Sequence, residues 1–291
     1  MRKTRRRKNR NHMTIFEAYN HTKQTLEKAG IEDVVFEAKQ IIRHVTGLTN
    51  AQILTRYTNP LTPYQQNMLT AILRQREIRY PLQYIFGEWS FCGNDFEVGP
   101  GVLCPRPDTE VLVEHALRFL KGREQPAVLD LCAGSGCIGI SIAKAVPDAQ
   151  VTLVEKFEVT KRYLDRNIRR NGVQNATAVL GDVLEQAAAE DRYDLIVSNP
   201  PYIPEGEMAT VSPETKFEPE AALLGGQDGL DFFRVIIDRY TQSLKPDGML
   251  AFEVGFGESG AVQALLENAG FGDIGTTKDY NGVERVVFAK K

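Results

Sequence analysis

Four consecutive residues, Asn199-Pro200-Pro201-Tyr202, set a side-chain amide, two rigid rings and a phenol directly after the apolar run Tyr193-Asp194-Leu195-Ile196-Val197-Ser198. An apolar run ended by two prolines reads as a buried strand feeding a stiff turn, because proline fixes its own φ and restricts the residue before it. Asn199 is thereby held at a strand's end. Its side-chain carbonyl and the Pro200 backbone carbonyl can converge to accept both N–H groups of one planar NH2. Such a nitrogen is a poor nucleophile because its lone pair is delocalised. Two fixed acceptors would orient it and stabilise the positive charge it gains under attack. Tyr202 would then pack against the flat substrate group. An Asn-Pro turn with no chemistry begins in the same way, so the reading needs support from the rest of the chain.

That support starts at residues 127–131, a short buried strand, followed by Cys132-Ala133-Gly134-Ser135-Gly136 and a helix from about Ile138. Strand, glycine-rich turn, helix is a nucleotide-binding arrangement: the glycines let a ligand approach the backbone and expose amides at a helix N-terminus. Gly134, Gly136 and Gly139 also satisfy G-x-G-x-x-G, so a dinucleotide enzyme has to be weighed. The next strand, residues 150–154, ends at Glu155, about twenty residues beyond the glycines, where an acid can hold both ribose hydroxyls of either NAD or S-adenosylmethionine. Two features favour S-adenosylmethionine. Asp130 precedes the glycines, where an acid could face the cationic amino-acid end of that cofactor but would oppose a pyrophosphate. The strand at 177–180 then ends in Gly181-Asp182, placed for an adenine edge.

These residues need elements to position them. Residues 14–80 carry helical periodicity, with Thr14/Glu17 and Thr62-Pro63/Gln65 spaced as capping boxes. This stretch holds no glycine-rich loop or catalytic cluster and reads as a helical substrate-recognition domain over 13–80. Residues 81–105, rich in aromatic and β-branched side chains around Gly93-Asn94, read as a β-hairpin linker. Arg106-Pro107-Asp108-Thr109-Glu110 leads into a helix over 111–120, with Asp108 or Thr109 as its N-cap; a helix start does not account for Arg106 and the two flanking prolines, so a site role stays open for this segment. The remainder of 106–291 alternates strands and helices. A helix is expected over 230–244, a strand over 249–254 after the Pro246-Asp247-Gly248 turn, and a helix over 258–269. A closing hairpin about Asn281-Gly282 would put an antiparallel edge on a parallel sheet. The fold class is α/β.

Composition sets bounds on function. The 291 residues are 42% hydrophobic and 25% charged, as in an ordinary soluble globular protein, with no run of membrane-spanning length. The four cysteines, Cys92, Cys104, Cys132 and Cys137, lack CxxC spacing and a histidine cluster, so neither a metal nor a disulfide is expected, and a reducing cytoplasm is the natural location. Seven cations with no acid crowd residues 1–12, read as a disordered basic tail. Without them the formal net charge moves from −3 to −10. An acidic body argues against direct nucleic-acid binding beyond whatever the tail contributes.

From about Met13 to its end, the chain resembles the HemK-type protein-(glutamine-N5) methyltransferases that modify class I peptide chain release factors. The residues that carry the resemblance are Arg106-Pro107-Asp108-Thr109-Glu110, the loop from Asp130 to Gly136, the run from Ser198 to Pro204, and Glu218-Pro219 through Gly225-Gly226-Gln227-Asp228-Gly229-Leu230. The resemblance implies a seven-stranded class I S-adenosylmethionine-dependent methyltransferase fold behind a small N-terminal helical domain that docks the release factor. It implies that residues 132–136 surround the methionine part of the cofactor, Glu155 the ribose, Asp182-Val183 the adenine, and Asn199-Pro200-Pro201-Tyr202 the glutamine amide, with Asn199 also a cofactor-binding residue at the methionine part. Cys132-Ala133 stands where Gly-Thr is commoner, and Val183 where some members carry an aromatic. The expected chemistry is direct in-line methyl transfer to the amide nitrogen of the Gly-Gly-Gln glutamine, with Asn199, Pro200 and Tyr202 catalytic. Asn-Pro-Pro-Tyr alone is shared with adenine and cytosine amino-methyltransferases, so a DNA or RNA enzyme stays open, as do an oxidoreductase and a non-catalytic binding protein.

Overall fold

The computed structural model describes residues 13–185 and 192–291, so the basic tail lies outside the described residues. The chain divides into two compact units, one up to Phe86 and one from Gly87 onward. The first comprises α1 (Ile15–Lys28), α2 (Val34–Thr46), α3 (Asn50–Arg56), α4 (Pro63–Glu77) and α5 (Leu82–Phe86). Thr14 with Glu17 and Thr62 with Gln65 close reciprocal capping boxes at the starts of α1 and α4, and Pro63 occupies a first-turn position that needs no N–H. Ile15, Ala18, Thr22 and Leu26 form the buried stripe of α1. Arg76 of α4 is fully buried; it donates to Glu37 of α2 at 2.8 and 2.9 Å and to the Tyr80 carbonyl at 2.6 Å. Removing one partner of such a pair strands a buried charge, at a cost of about 3–5 kcal/mol.

The second unit opens on the hairpin β1 (Glu88–Phe91) and β2 (Asn94–Glu97). Phe91 pairs with Asn94, so the turn residues are Cys92 and Gly93, with φ of +48° and +70°. The turn therefore falls one residue earlier than Gly93-Asn94, and the aromatic run at 82–86 is helix rather than strand. After a 3-10 turn at Pro107–Thr109 come α6 (Glu110–Leu120), β3 (Ala127–Leu131), α7 (Cys137–Ala145), β4 (Gln150–Glu155), α8 (Glu158–Asn171), β5 (Ala176–Leu180) and β6 (Tyr193–Ser198). They are followed by α9 (Asp231–Tyr240), β7 (Leu244–Glu253), α10 (Ser259–Asn268), β8 (Asp273–Lys278) and β9 (Glu284–Lys290).

The seven-stranded sheet has the order β5-β4-β3-β6-β7-β9-β8, parallel from β5 to β7, with β9 antiparallel to both neighbours. Successive side chains of β6 alternate between two hydrophobic cores: Leu195 and Val197 join Leu112, Ile140 and Leu153 on one face, and Ile196 joins Phe233, Ile236 and Phe252 on the other. Each such side chain, fully buried, contributes about 1.5–3 kcal/mol. Pro246-Asp247-Gly248, read above as a turn before β7, is instead a bulge within it, since Tyr193 pairs with Leu244 and Leu195 with Met249. Among the described residues, no helix is long and apolar enough to cross a membrane.

Register is what assembles the site. Leu131 of β3 pairs with Ser198 of β6 and with Val154 of β4, Glu155 pairs with Leu180 of β5, and Ser198 pairs with Phe252 of β7. Cys132, Glu155, Gly181, Asn199 and Glu253 thus sit at or next to the C-terminal ends of five neighbouring strands. The sheet order reverses between β3 and β6, where ligands of open α/β sheets bind.

Candidate functional site

A cavity of about 540 Å³ opens at that end of the sheet, within the second unit. Its wall includes Cys132, Ala133, Gly134, Ser135, Glu155, Asp182, Val183, Asn199 and Pro201, together with Arg106 and Thr109 from the segment before α6. Nine residues named from the sequence thus meet at one cavity.

The glycine loop is held mainly by its own backbone. Ala133 N–H donates to Val154 O at 3.0 Å, Gly136 N–H to Ala133 O at 2.8 Å, and the Ser135 carbonyl accepts from Asn167 Nδ2 at 2.9 Å. Gly134 and Gly136 have φ of +57° and +82°. A Cβ on Gly136 would overlap Leu164 and Ile140, so glycine there lets α7 and α8 close on the loop, whereas one on Gly134 would meet nothing within 4 Å. Cys132 also has a positive φ, +59°, a region costly for a residue with a Cβ. Glu155 is buried, and its carboxylate accepts from Gly134 N at 3.0 Å and Phe157 N at 2.8 Å. Burial raises its pKa, and those two N–H donors offset part of the rise. Asp182 pairs with Lys156 at 2.7 Å and accepts from Leu184 N at 2.9 Å.

Asp130 is not part of the cavity wall. It lies fully buried behind the loop, with Oδ2 accepting from Gly139 N at 2.9 Å and Oδ1 without a partner, and burial pushes its carboxyl up to about 7. The sequence suggested an acid facing the cofactor; the side chain alternates to the core side of β3 and braces α7 instead.

Asn199 lines the cavity, and its Nδ2 faces Thr109 Oγ1 at 3.5 Å. Pro200 and Tyr202 are absent from the wall. The Tyr202 hydroxyl faces Glu253 Oε1 at 3.5 Å, and its half-buried ring packs against the core cluster of Phe233 and Phe252. The backbone after the motif dictates this. Ile203 N donates to Leu223 O and Gly225 N to Ile203 O, and a Cβ at Gly225 or Gly229 would collide with the backbone of Pro201 and Tyr202. The glycines of Gly225-Gly226-Gln227-Asp228-Gly229 therefore let that segment buttress the Asn-Pro-Pro-Tyr turn.

Glu253 went unread in the sequence, and the segment Arg106–Glu110, whose site role the sequence left open, lies at this end of the sheet with Arg106 and Thr109 on the cavity wall. Glu253 is buried at the end of β7, whose Phe252 pairs with Ser198 just before Asn199; burial pushes its carboxyl up to about 7 despite the Thr109 hydroxyl and Arg285, with Asp108 adding to the rise. It is the acid of the apolar strand 249–254, a signal as plain as Glu155 at its own strand end. Thr109 makes no side-chain cap bond and is buried toward the site. Asp108 is not a cap either, and pairs with Arg285 of β9 at 3.3 Å. Arg285 also bonds Asp279 at 3.3 Å, whose Oδ1 accepts from Asn281 N and Val283 N, both at 2.9 Å. Arg106 forms an ion pair with buried Glu218, which also accepts from Cys104 N at 2.9 Å.

Residues 17–87 match the PrmC N-terminal domain family and residues 105–221 the methyltransferase small domain family. The chain is 40% identical over 275 residues to the release factor glutamine methyltransferase of Geobacter sulfurreducens, covering 94% of this chain and 95% of that one. The chain belongs to the release factor glutamine methyltransferase family. A second relative with the same name, from Thermodesulfovibrio yellowstonii, is 38% identical and covers 88% of this chain and 92% of its own. Among solved structures, the fold resembles a T. thermophilus 16S rRNA methyltransferase in complex with AdoMet and guanosine, with TM-score 0.51, 25% identity, and 70% of this chain and 49% of that chain covered. The hMettl16 catalytic domain, at 12% identity and TM-score 0.55 over 77% of this chain and 81% of its own, shares the fold alone. As a member of this family, the chain has the class I methyltransferase sheet read from its sequence.

Proposed function

We propose that this chain transfers the methyl group of S-adenosyl-L-methionine to the side-chain amide nitrogen of the glutamine in the Gly-Gly-Gln motif of class I peptide chain release factors, in the cytoplasm. The observation that carries this reading is the pairing of Leu131 with Ser198, which sets the glycine loop beside Asn199 at one cavity. The residues present fit the cofactor. Gly134 leaves open space at the backbone, and Glu155 is a buried acid at the adjoining strand end. Residues 132–136 would hold the methionine portion, Glu155 the ribose hydroxyls, and Asp182 with Val183 the adenine, while Asp130 supports the loop through Gly139.

When bound, S-adenosyl-L-methionine supplies an electrophilic methyl group on a sulfonium. The chain's own part is to present the nucleophile. Asn199 Oδ1 and the Pro200 carbonyl accept the two amide N–H groups, which orients the nitrogen and stabilises its growing positive charge. Pro201 walls the amide, and Tyr202 acts from behind by holding the turn against β7. The helical unit docks the body of the release factor, so that binding energy from remote parts of the substrate positions the reacting amide.

Mass spectrometry of a release factor incubated with this protein and the cofactor tests the reading: one added methyl on the Gly-Gly-Gln glutamine is expected. A short Gly-Gly-Gln peptide should be a poor substrate beside the whole factor. Methylation of oligonucleotides, with none on the release factor, would overturn the substrate assignment.

A further inference from the structure

We infer that Arg106 is a substrate-binding residue: its guanidinium donates to a main-chain carbonyl of the release-factor segment that carries the reacting glutamine. This rests on the amide-methylation reading above and names the group that holds the peptide, as distinct from its side-chain amide.

The residues around Arg106 leave it little freedom. Pro105 and Pro107 flank it, and a residue before proline is driven to extended backbone; Arg106 has φ −102° and ψ 143°. Its side chain lines the cavity and is 34% exposed, while one end of the fork is held by Glu218, whose side chain is 1% exposed. Glu218 is itself fixed, since its second oxygen accepts from Cys104 N at 2.9 Å. A guanidinium has five N–H donors and no acceptor. Among the described residues Glu218 is the one acceptor of this guanidinium, so the rest of a preoriented fork is left for a ligand oxygen.

Position decides which oxygen. Thr109 N donates to Arg106 O at 3.2 Å, closing the 3-10 turn, and Thr109 Oγ1 faces Asn199 Nδ2 at 3.5 Å. Arg106 therefore belongs to the Asn199 side of the cavity. The wall that runs on from Glu218 is formed by Pro219, Ala221, Ala222 and Leu224, side chains with no donor to offer. Its far end is pinned by Ile203 N to Leu223 O at 2.8 Å and Gly225 N to Ile203 O at 2.9 Å. A peptide laid along this wall loses water from its carbonyls, and Arg106 is the donor that replaces it.

The chemistry narrows the choice further. A cation on the glutamine's side-chain oxygen would draw the nitrogen lone pair deeper into the amide and weaken the nucleophile, so the main-chain carbonyl is the oxygen consistent with the reaction. Glu218 matters for a related reason. The nitrogen gains positive charge under attack, and a bare guanidinium nearby would oppose it. Paired with Glu218, Arg106 gives its hydrogen bonds with little net charge.

The test compares Arg106→Lys, which keeps the cation and its pairing with Glu218 but not the planar fork, with Arg106→Ala and Glu218→Gln in the full chain. Whole release factor is the substrate; kcat and KM are measured at saturating cofactor, cofactor affinity by calorimetry and stability by the denaturant midpoint. Arg106→Lys should lower kcat/KM for the release factor about ten- to a hundredfold, as loss of a hydrogen bond to a charged group does, with cofactor affinity and midpoint unchanged. Arg106→Ala should lower it at least as far. Glu218→Gln, which leaves the cation uncompensated, should act on kcat, lowering it about tenfold. Should either of these two fail to fold, Arg106→Lys decides the matter alone. An Arg106→Lys enzyme as active as wild type would reduce the ion pair to a structural clasp and overturn the inference. A loss of rate that tracks the midpoint would overturn it too, as would one matched by a loss of cofactor affinity, which would give the guanidinium to the cofactor's carboxylate. A wild type that methylates no release factor would overturn the functional reading itself.

Discussion

The two sides of the cavity are built differently. On the glycine-loop side, polar groups already have partners: Glu155 holds two backbone N–H groups, Asp182 holds Lys156 and Leu184 N, and the loop is stitched to β4. On the amide side the contacts are long, with Asn199 and Tyr202 each 3.5 Å from its partner and a Glu253 oxygen unpaired. A wall whose polar groups are satisfied can receive a ligand without rearranging. One whose groups are under-bonded keeps its hydrogen-bonding capacity for the substrate, and such catalytic contacts tighten only when the substrate arrives. The difference separates binding from chemistry: substitutions on the first side should move cofactor affinity or stability, and on the second kcat.

The largest effect should come from Asn199→Ala. Losing one preorganised polar group of this kind costs about 10²–10³ in kcat; single-turnover rates measured beside cofactor affinity should fall by that factor while affinity holds. An equal loss of both would erase the distinction between the two sides. Glu155→Ala should do the reverse, weakening cofactor binding by about 1.5–3 kcal/mol in calorimetry, the range for hydrogen bonds to a charged group, with kcat at saturating cofactor little changed. Gly136→Ala places a Cβ against Leu164 and Ile140 at a φ of +82°. Overpacking of that sort costs about 1–3 kcal/mol, readable as a lower denaturant midpoint. The smallest change is Cys132→Gly. Relief of the left-handed strain at φ +59°, less the entropy of glycine, should stabilise the protein by about 0.5–1 kcal/mol in the same assay.

The loop, the strand ends and the Asn-Pro-Pro-Tyr turn were legible in the sequence because each is written in adjacent residues whose local chemistry is strong: glycines where a ligand approaches, prolines after an apolar run, acids ending strands. Which of these side chains face the cavity was not legible. Asp130 and Tyr202 follow motifs correctly placed, yet side-chain direction depends on strand alternation and on buttressing by Gly225 and Gly229 from more than twenty residues away. What Thr109 and Glu253 do at the site escaped for a related reason. Thr109 precedes α6 and Glu253 ends β7, and they come to one end of the sheet only once the sheet order sets β7 beside β6. The hairpin turn and the β7 bulge moved because Gly-Asn and Pro-Asp-Gly mark positive φ or a break without saying which strand register surrounds them.

Arg285 ties Asp279, in the loop between β8 and β9, to Asp108, one residue before Thr109. β8 and the same loop reach α6 through Thr277 to His115 at 3.1 Å and through Tyr280 to Glu114. The far edge of the sheet therefore works as a strut: it carries no group into the cavity, yet it fixes the height and rotation of the helix that delivers Thr109. An error of about 1 Å in a reacting geometry can cost about a hundredfold in rate, so the tolerance of this enzyme to change is set in part by a surface hairpin with no chemistry of its own. Variation there would be felt as slower turnover in a protein that still folds and still takes up its cofactor, a kind of damage that inspection of the cavity alone would miss.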